Sequence, residues 1–193
     1  MRYLIGVDEA GRGPLAGPVA VGAVTVAEGF DVAVEFPGVA DSKKLSEKKR
    51  EALFDLLEAR AAQGDVRFLV SLGSAADIDE KGIAVVIREA VAKNVRVLAP
   101  EASAVQVLLD GALHAPEEYE QETIIRGDAS VPLISLASIA AKVTRDRLMV
   151  ALAEAYPQYG FEKHKGYGTA AHLSALREHG LSAIHRTTFI HLA

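Results

Sequence analysis

The sequence contains no cysteine and no tryptophan, and only 6% of its 193 residues are aromatic. Without cysteine the chain can form no disulfide, no zinc–thiolate site and no thiol nucleophile. No hydrophobic run is long enough to span a bilayer, and no secretory signal is recognisable. We therefore expect a cytoplasmic protein that does not contact membranes.

The sequence also has no excess of basic residues. It contains 21 Lys and Arg and 26 Asp and Glu, which gives a net charge of −5. Proteins that coat nucleic acid without specificity are usually basic overall, so this balance argues against that class. An enzyme that combines a local basic groove with an acidic metal site is compatible with it. The apolar fraction of 50% is sufficient for a sizeable core in one domain.

Strand-like and helix-like segments alternate along the chain. Residues 3–8 and 19–26 predict a buried hairpin, further strands are predicted at 66–72, 105–110 and 123–125, and residues 27–40 are loop-like. Helices are predicted from the N-cap Ser46 to Gly64, from Ser74 to about Leu98, from Pro132 to about Ala155, and from Thr169 to Gly180. This order predicts an α/β domain with a mixed sheet over residues 1–156, followed by a small helical extension over 157–193.

Four carboxylates stand at the ends of predicted elements. Asp8 and Glu9 end the first strand, Asp110 ends a later strand, and Asp128 lies just before a helix. Side chains at such positions can converge on one crevice, and hard cations such as Mg²⁺ prefer carboxylate oxygens. A single acid at a strand end can equally be a solvated residue or a helix cap. Two adjacent acids directly after an apolar run are harder to explain in that way.

Asp146 is a fifth acid, and we expect it to lie outside this group. If the helix begins near Ser130, Asp146 lies about 24 Å along it at 1.5 Å per residue, too far to share a metal with Asp128. Lys142 precedes it by one turn, so a surface ion pair between the two is predicted.

A glycine-rich turn, Gly11-Arg12-Gly13, follows the first two acids. Its bare backbone lets N–H groups approach a phosphate or a sugar closely, although a tight loop needs no ligand. The spacing of its glycines is not the dinucleotide fingerprint, and Pro14 and Pro18 prevent a helix from opening there. The turn therefore argues against a nicotinamide-dependent dehydrogenase, one of two alternative functions.

Basic and aromatic residues occur in two segments. Lys43 and Lys44 precede a helix and either contact phosphate or form a charged helix entry. Residues 159–169 interleave rings with bases such as Lys165 and end at Tyr167, which glycines flank. Such a tyrosine can lie against a sugar or a base, or pack in a turn. These segments keep open a second alternative, a nucleic-acid-binding module without catalysis, which the acid cluster disfavours because bare acids repel phosphate.

Small polar residues and histidines complete the candidates. Ser135 and Ser138, three residues apart, either face a phosphate from the start of the long helix or permit close packing. The histidines lack metal-ligand spacing with one another, and we expect surface or structural roles for them; they are His164, His172, His179 and His185.

Several long motifs resemble the ribonuclease HII family, the bacterial type 2 ribonucleases H. The matching stretches, in family order, are GVDEAGRGPLAGPV, DSKKLSEKKRE, LLDG, GDASVPLISLASIAAKVTRDRLM, YPQYGFEKHKGYGTAAH and HRTTF. They extend from residue 6 to residue 189, and the first, fourth and fifth are highly specific. The one departure near a predicted ligand is Ala112, where the family more often has asparagine after Asp-Gly.

The resemblance implies a ribonuclease H-like fold with a C-terminal helical extension. It also implies hydrolysis of RNA in RNA–DNA hybrids and cleavage on the 5′ side of single ribonucleotides in duplex DNA, leaving 3′-hydroxyl and 5′-phosphate ends. Such an activity serves ribonucleotide excision and the removal of RNA primers. We expect a monomer with no obligatory protein partner and no clamp-binding tail of the kind that some archaeal relatives carry.

The resemblance further assigns roles to particular residues. The family's metal ligands correspond to Asp8, Glu9, Asp110 and Asp128, which would hold two Mg²⁺ or Mn²⁺ ions. The turn at 11–13 would read the ribose 2′-hydroxyl through its backbone, and Tyr167 would stack on the deoxyribose side of the junction. Lys43 and Lys44 match a segment that contacts the phosphate backbone.

Overall fold

A mixed five-stranded sheet forms the centre of the computed structural model, which describes residues 2–39 and 45–191. The strand order is β3-β2-β1-β4-β5, in which β2 pairs antiparallel with β1 and β3, while β4 is parallel to both β1 and β5. The predicted hairpin and mixed sheet are thereby confirmed. The strands are β1 (Tyr3–Ala10), β2 (Val19–Ala27), β3 (Val66–Gly73), β4 (Val105–Asp110) and β5 (Glu120–Ile124).

Eight α-helices surround the sheet within the described ranges. They are α1 (Val32–Glu35), α2 (Glu47–Gln63), α3 (Ala75–Lys81), α4 (Ile83–Leu98), α5 (Gly127–Ser130), α6 (Pro132–Ala155), α7 (Phe161–His164) and α8 (Ala170–His179). Short 3₁₀ turns occur at Ala102–Ala104, Pro157–Tyr159 and Thr187–Phe189. The predicted bounds of the long helix are confirmed, and its proline occupies the first turn, where a missing N–H costs no hydrogen bond.

Local signals account for the helix ends. The Ser46 side chain accepts a hydrogen bond from the Lys49 N–H at the start of α2, and Gly64 ends that helix in the left-handed conformation. Ser74 forms a capping box with Asp77 at the start of α3. The helical region predicted to run on to Leu98 divides at Gly82, whose φ of +81° is incompatible with a continuous helix.

Two smaller elements differ from the prediction. The last strand pairs with β4 over Glu120–Ile124, earlier than the predicted 123–125, because pairing continues through exposed polar residues that have no apolar signature. The segment predicted to be a loop contains α1, which begins because the Asp31 carboxylate accepts hydrogen bonds from two following N–H groups.

Helices cover both faces of the sheet. On one face α4 packs over an apolar cluster that includes Val7, Val21 and Val107, and on the other α6 and α2 pack over Val24 and Val26. This mixed sheet with helices on both faces agrees with the ribonuclease H-like fold that the resemblance implies. Gly6 in β1 permits α6 to lie very close, because a Cβ atom there would lie 2.5 Å from the Leu133 carbonyl oxygen. This close approach brings the first turns of α6 beside the end of β1.

The segment after residue 156 packs against the rest of the chain through a third cluster. Tyr159, Phe161 and Leu176 contact Ala16 from the loop after β1 and Met149 from α6. A division into units at residue 156 remains a prediction. Among the described residues, no helix has both the length and the hydrophobicity needed to cross a bilayer.

Candidate active site

The sheet register brings the four predicted carboxylates to one edge. Val7 of β1 lies opposite Leu109 of the parallel strand β4, so the next residues, Asp8 and Asp110, occupy the same level. Asp110 in turn lies opposite Ile124 at the end of β5, and the chain then turns into α5, which carries Asp128. The Asp128 N–H donates a hydrogen bond to Asp110 Oδ1 at 3.2 Å. Acids that are up to 120 residues apart in the sequence therefore meet at one end of the sheet.

A cleft of about 470 Å³ opens at this edge. All four carboxylates line it, together with most of the other residues predicted to bind substrate. These lining residues are Asp8, Glu9, Gly11, Arg12, Gly13, Asp110, Asp128, Ser138 and Tyr167.

The two acids of β1 lie in a poorly solvated environment. Burial raises the pKa of Asp8 to about 8, the hydroxyl of Ser138 opposes that shift by hydrogen bonding, and the carboxylates of Glu9 and Asp110 add to it. Burial also raises the pKa of Glu9, although the Arg12 guanidinium, 2.9 Å from its Oε1, acts in the opposite direction. Like charges are thus concentrated where water can screen them little.

The donor set fits a hard divalent cation. The oxygens belong to carboxylates, and Glu9 Oε2 is buried without a hydrogen bond from any residue that the structure describes. A cation would offset both the burial and the mutual repulsion of these acids. In the described part of the chain, no three acids or histidines are already arranged around a single cation position.

The glycine-rich turn is shaped by a buried arginine from the distant C-terminal segment. Arg186 donates hydrogen bonds to the carbonyl oxygens of Gly11, Arg12 and Gly17 at distances of 2.7, 3.0 and 2.9 Å. Gly11 has a φ of +87°, and a Cβ atom there would collide with the Arg145 side chain. The carbonyl oxygens of Gly11 and Arg12 therefore face the protein interior.

Tyr167 lines the cleft from the loop between α7 and α8. The residue is 43% exposed, and the Arg145 guanidinium carbon lies 5.8 Å from the ring centroid. Lys165, two residues earlier, has a φ of +51°, so this loop is held in a conformation that side chains rarely adopt. An exposed ring on a constrained loop is available to a ligand in the cleft.

Comparison with known proteins identifies the family of this chain. The sequence pattern of the family described as Ribonuclease HII matches residues 5–192. The chain belongs to the ribonuclease HII family. A ribonuclease HII from Marinomonas sp. (strain MWYL1) is 48% identical over 188 residues, covering 96% of this chain and 89% of that protein. The protein is accordingly a ribonuclease H, an endonuclease that hydrolyses phosphodiester bonds.

Solved structures agree with the fold. The ribonuclease HII in the PCNA:RNase HII complex from Archaeoglobus fulgidus aligns with a TM-score of 0.77 and 26% identity, covering 99% of this chain and 96% of that one. Bst-RNase HIII, solved in complex with Mn²⁺, aligns with a TM-score of 0.69 at 20% identity, covering 97% of this chain and 67% of that one.

Some residues predicted for the ribonuclease HII site lie elsewhere. Ser135 is fully buried and donates its hydroxyl hydrogen bond to the Val39 carbonyl, so it packs α6 against the segment before residue 40. Lys165 donates to the Glu162 carbonyl and does not line the cleft. Lys43 and Lys44 lie outside the described residues.

Asp146 forms the predicted ion pair, since both of its carboxylate oxygens lie within 2.7 Å of Lys142 Nζ. As predicted, it does not line the cleft with the other four acids.

Other residues that shape the candidate site were not predicted from the sequence to lie there. Arg50 and Lys142 line the cleft and add positive charge beside the acids. Lys142 follows the predicted substrate contact Ser138 by four residues along α6, so both lie on the same face of the helix. This spacing could have indicated that Lys142 also lines the cleft. Arg145 and Arg186 gave no such signal, because their partners are carbonyl oxygens more than a hundred residues away.

Proposed function

We propose that the protein hydrolyses RNA in RNA–DNA hybrids and cuts duplex DNA on the 5′ side of a single embedded ribonucleotide. In this proposal Asp8, Glu9, Asp110 and Asp128 hold two Mg²⁺ or Mn²⁺ ions, and the products carry 3′-hydroxyl and 5′-phosphate ends. The main support is that the four carboxylates share one cleft with the turn at 11–13 and with Tyr167. The groups that would cleave the phosphodiester bond and the groups that would recognise the sugar can therefore contact the same dinucleotide step.

The chemical step depends on charge and orientation. Paired divalent cations, when bound, activate a water molecule and stabilise the departing 3′ oxygen. The carboxylates hold the cations, and the Ser138 hydroxyl orients the Asp8 carboxylate through its hydrogen bond. The guanidinium of Arg50 and the ammonium of Lys142 line the same cleft and attract the phosphate backbone.

Recognition of the ribonucleotide depends on the 2′-hydroxyl, the group that distinguishes RNA from DNA at a given position. Because Arg186 takes the carbonyl oxygens of Gly11 and Arg12, the polar groups that the turn offers to a ligand are N–H donors. Such donors suit a hydroxyl oxygen or a phosphate. The Tyr167 ring stacks on the neighbouring deoxyribose, a contact that a long hybrid does not provide in the same form.

This activity fits the removal of misincorporated ribonucleotides and of RNA primers. We propose that the protein does so as a cytoplasmic monomer, without an obligatory protein partner.

A nicking assay tests the proposal. The substrate is duplex DNA with one ribonucleotide, and the controls are the same duplex with deoxyribose throughout and with a 2′-O-methyl group at that position. We expect one cut on the 5′ side of the ribonucleotide in Mg²⁺ or Mn²⁺, no cut in EDTA, and an upstream fragment that a DNA polymerase extends. Cleavage in EDTA, or equal cleavage of the all-deoxyribose duplex, would contradict the proposal.

A further inference from the structure

Two buried histidines form a hydrogen-bond chain that ends on the backbone of Tyr167. His172 Nδ1 lies 2.9 Å from the Tyr167 carbonyl oxygen, and His172 Nε2 lies 3.1 Å from His185 Nε2. At the other end, His185 Nδ1 lies 2.8 Å from both the N–H and the hydroxyl of Ser182. Both rings are almost completely buried. The chain therefore connects the C-terminal segment to the loop that carries Tyr167.

The partners determine which nitrogen carries each proton. A carbonyl oxygen only accepts hydrogen bonds, so His172 Nδ1 is protonated and donates to Tyr167. The Ser182 N–H only donates, so His185 Nδ1 is bare and its Nε2 carries the proton, which it donates to the bare Nε2 of His172. Each ring is neutral in this arrangement. A further proton on either ring would bring two donors face to face and break the chain.

The surroundings favour the neutral rings. Burial lowers the pKa of His172 and lowers that of His185 to about 4, and a charge on either ring would oppose a charge on the other. The titratable side chains that face the pair are His164, whose ring stacks on His172 at 4.6 Å, and Tyr159, whose ring lies edge-on to His185 at 4.8 Å. Arg186 is the nearest cation in sequence, and its guanidinium is engaged with backbone carbonyls. Within the described ranges, no carboxylate forms an ion pair with either histidine.

A third histidine, His164, forms hydrogen bonds on the N-terminal side of Tyr167 in the same loop. The Gly166 N–H donates to His164 Nδ1 at 3.3 Å, and His164 Nε2 lies 2.8 Å from the Tyr159 carbonyl oxygen. The Tyr167 N–H donates to the His164 carbonyl at 2.9 Å. The backbone is thus fixed on both sides of Tyr167, while the ring itself faces the cleft.

We propose that His172 and His185 are positioning residues for Tyr167, and that the neutral pair sets the direction in which its ring meets the sugar next to a ribonucleotide. This inference depends on the proposed function, in which Tyr167 contacts that sugar. Neither histidine lines the cleft, so neither touches the substrate. Their effect should appear in the choice between substrates rather than in the hydrolytic step.

Two amide substitutions test the roles of the two ring nitrogens of His172 one at a time. In His172→Asn the amide nitrogen can take the place of Nδ1 and still donate to the Tyr167 carbonyl. In His172→Gln the amide nitrogen takes the place of Nε2, and the Tyr167 carbonyl loses its side-chain donor and keeps only the hydrogen bond from the Thr169 N–H. Thermal unfolding of both variants, measured in parallel, shows whether their stabilities match.

The readout is the ratio of kcat/KM on a lone ribonucleotide to kcat/KM on a long hybrid. Both substrates use the same carboxylates, so the pH dependence of the metal site cancels in this ratio. We expect the ratio to remain constant in the wild type and in His172→Asn from about pH 6 to 8, where the buried rings stay neutral. We expect it to fall about tenfold in His172→Gln, because a displaced ring no longer meets the sugar.

A second pair keeps the test decisive if the His172 variants do not fold. His185→Gln retains a donor toward His172 Nε2 and should keep the ratio. In His185→Asn that donor is lost, so the His172 proton is no longer held on Nδ1, the donor to the Tyr167 carbonyl is weakened, and the ratio should fall. Equal losses on both substrates in every variant would mean that the histidines serve stability alone, and the inference would be overturned.

A spectroscopic measurement tests the chain independently of activity. Long-range ¹H–¹⁵N correlation spectra at neutral pH should show His172 protonated at Nδ1 and His185 at Nε2. The opposite tautomer on either ring, or a charged ring, would overturn the inference. Assaying Tyr167→Ala alongside separates a failure of the proposed function from a failure of the histidine inference. If the substrate ratio is unchanged in Tyr167→Ala while the expected tautomers are present, the role proposed for Tyr167 is refuted and the hydrogen-bond chain stands.

Discussion

Arg186 Nη2 lies 2.7 Å from the carbonyl oxygen of Gly11, a residue that precedes it by 175 positions. The same guanidinium binds the carbonyl oxygens of Arg12 and Gly17, and it is completely buried. Three different nitrogens of the planar guanidinium, Nε, Nη1 and Nη2, reach the three carbonyl oxygens, whereas a lysine ammonium would have to reach all three from a single nitrogen. The conformation of the turn beside the candidate metal site is therefore set from the opposite end of the sequence.

The first prediction concerns this arginine. Arg186→Lys keeps the charge but loses the fork, so we expect the free energy of unfolding to fall by about 2–4 kcal/mol, since hydrogen bonds to charged groups each contribute ~1.5–3 kcal/mol. Displacement of the turn should lower kcat/KM on a lone ribonucleotide by about 10- to 100-fold. Urea unfolding and the nicking assay measure the two effects. Arg177→Lys, at an exposed position on α8, is the matched control, and equal behaviour of the two variants would contradict the prediction.

The second prediction concerns the metal ligands. Asp8→Asn removes a charged oxygen donor from the cleft while keeping the shape of the side chain, so cleavage in Mg²⁺ should fall by about three orders of magnitude or more. Binding of an RNA–DNA hybrid should remain, because the substitution also removes a negative charge that repels phosphate. Fluorescence anisotropy measures the binding.

Glu101→Gln, which neutralises an exposed acid far from the cleft, controls for the change in charge. Near-normal turnover of Asp8→Asn would show that the site has been assigned to the wrong residues.

Local signals in the sequence predicted much of the fold. The N-cap Ser46, the left-handed Gly64 and the proline at the start of α6 each act within one turn of a helix, so their effects can be read from neighbouring residues. The carboxylates were predicted as a group because each one stands at the end of an element, and the ends of adjacent parallel strands meet at one edge.

Features that depend on distant contacts could not be predicted in this way. Ser135 and Ser138 have the same residue type and lie one turn apart, yet only Ser138 reaches the cleft. Their different positions follow from how α6 is rotated and seated on β1, which the helix's own sequence does not specify. His172 and His185 likewise show no metal-ligand spacing, and their mutual hydrogen bond exists only after α8 has packed against the C-terminal segment.

The third prediction separates ring from hydroxyl in Tyr167. Tyr167→Ala removes the stacking surface, which for a nucleotide contact contributes ~1–3 kcal/mol, so kcat/KM on a lone ribonucleotide should fall by about 10- to 100-fold. Cleavage of a long hybrid should fall much less, because many other contacts position that substrate. Tyr167→Phe keeps the ring and should behave like the wild type. Equal losses of Tyr167→Ala on both substrates would exclude a role in sensing the junction.

The fourth prediction concerns the attachment of the C-terminal segment. Both oxygens of the Asp79 carboxylate accept hydrogen bonds from Thr187 and Thr188, from an N–H and a hydroxyl in each case, at 2.6–3.0 Å. Burial alone would raise the pKa of Asp79, but these hydrogen bonds outweigh it and lower the pKa to about 2. Since Thr187 directly follows Arg186, this carboxylate helps to hold the arginine in place.

The sign of the pH dependence follows from the lowered pKa. The unfolded chain, in which Asp79 has a pKa near the model-peptide value of 3.8, binds more protons than the folded protein between about pH 2 and 4. Stabilisation by the carboxylate is therefore present above this range and is lost as the pH falls through it.

We expect Asp79→Asn to lower the free energy of unfolding by about 1–2 kcal/mol at pH 6, with the deficit narrowing toward pH 2. Urea unfolding at a series of pH values measures it, with Glu80→Gln as the neighbouring control. A deficit that stayed constant down to pH 2 would mean that the charge of Asp79 does not hold the C-terminal segment.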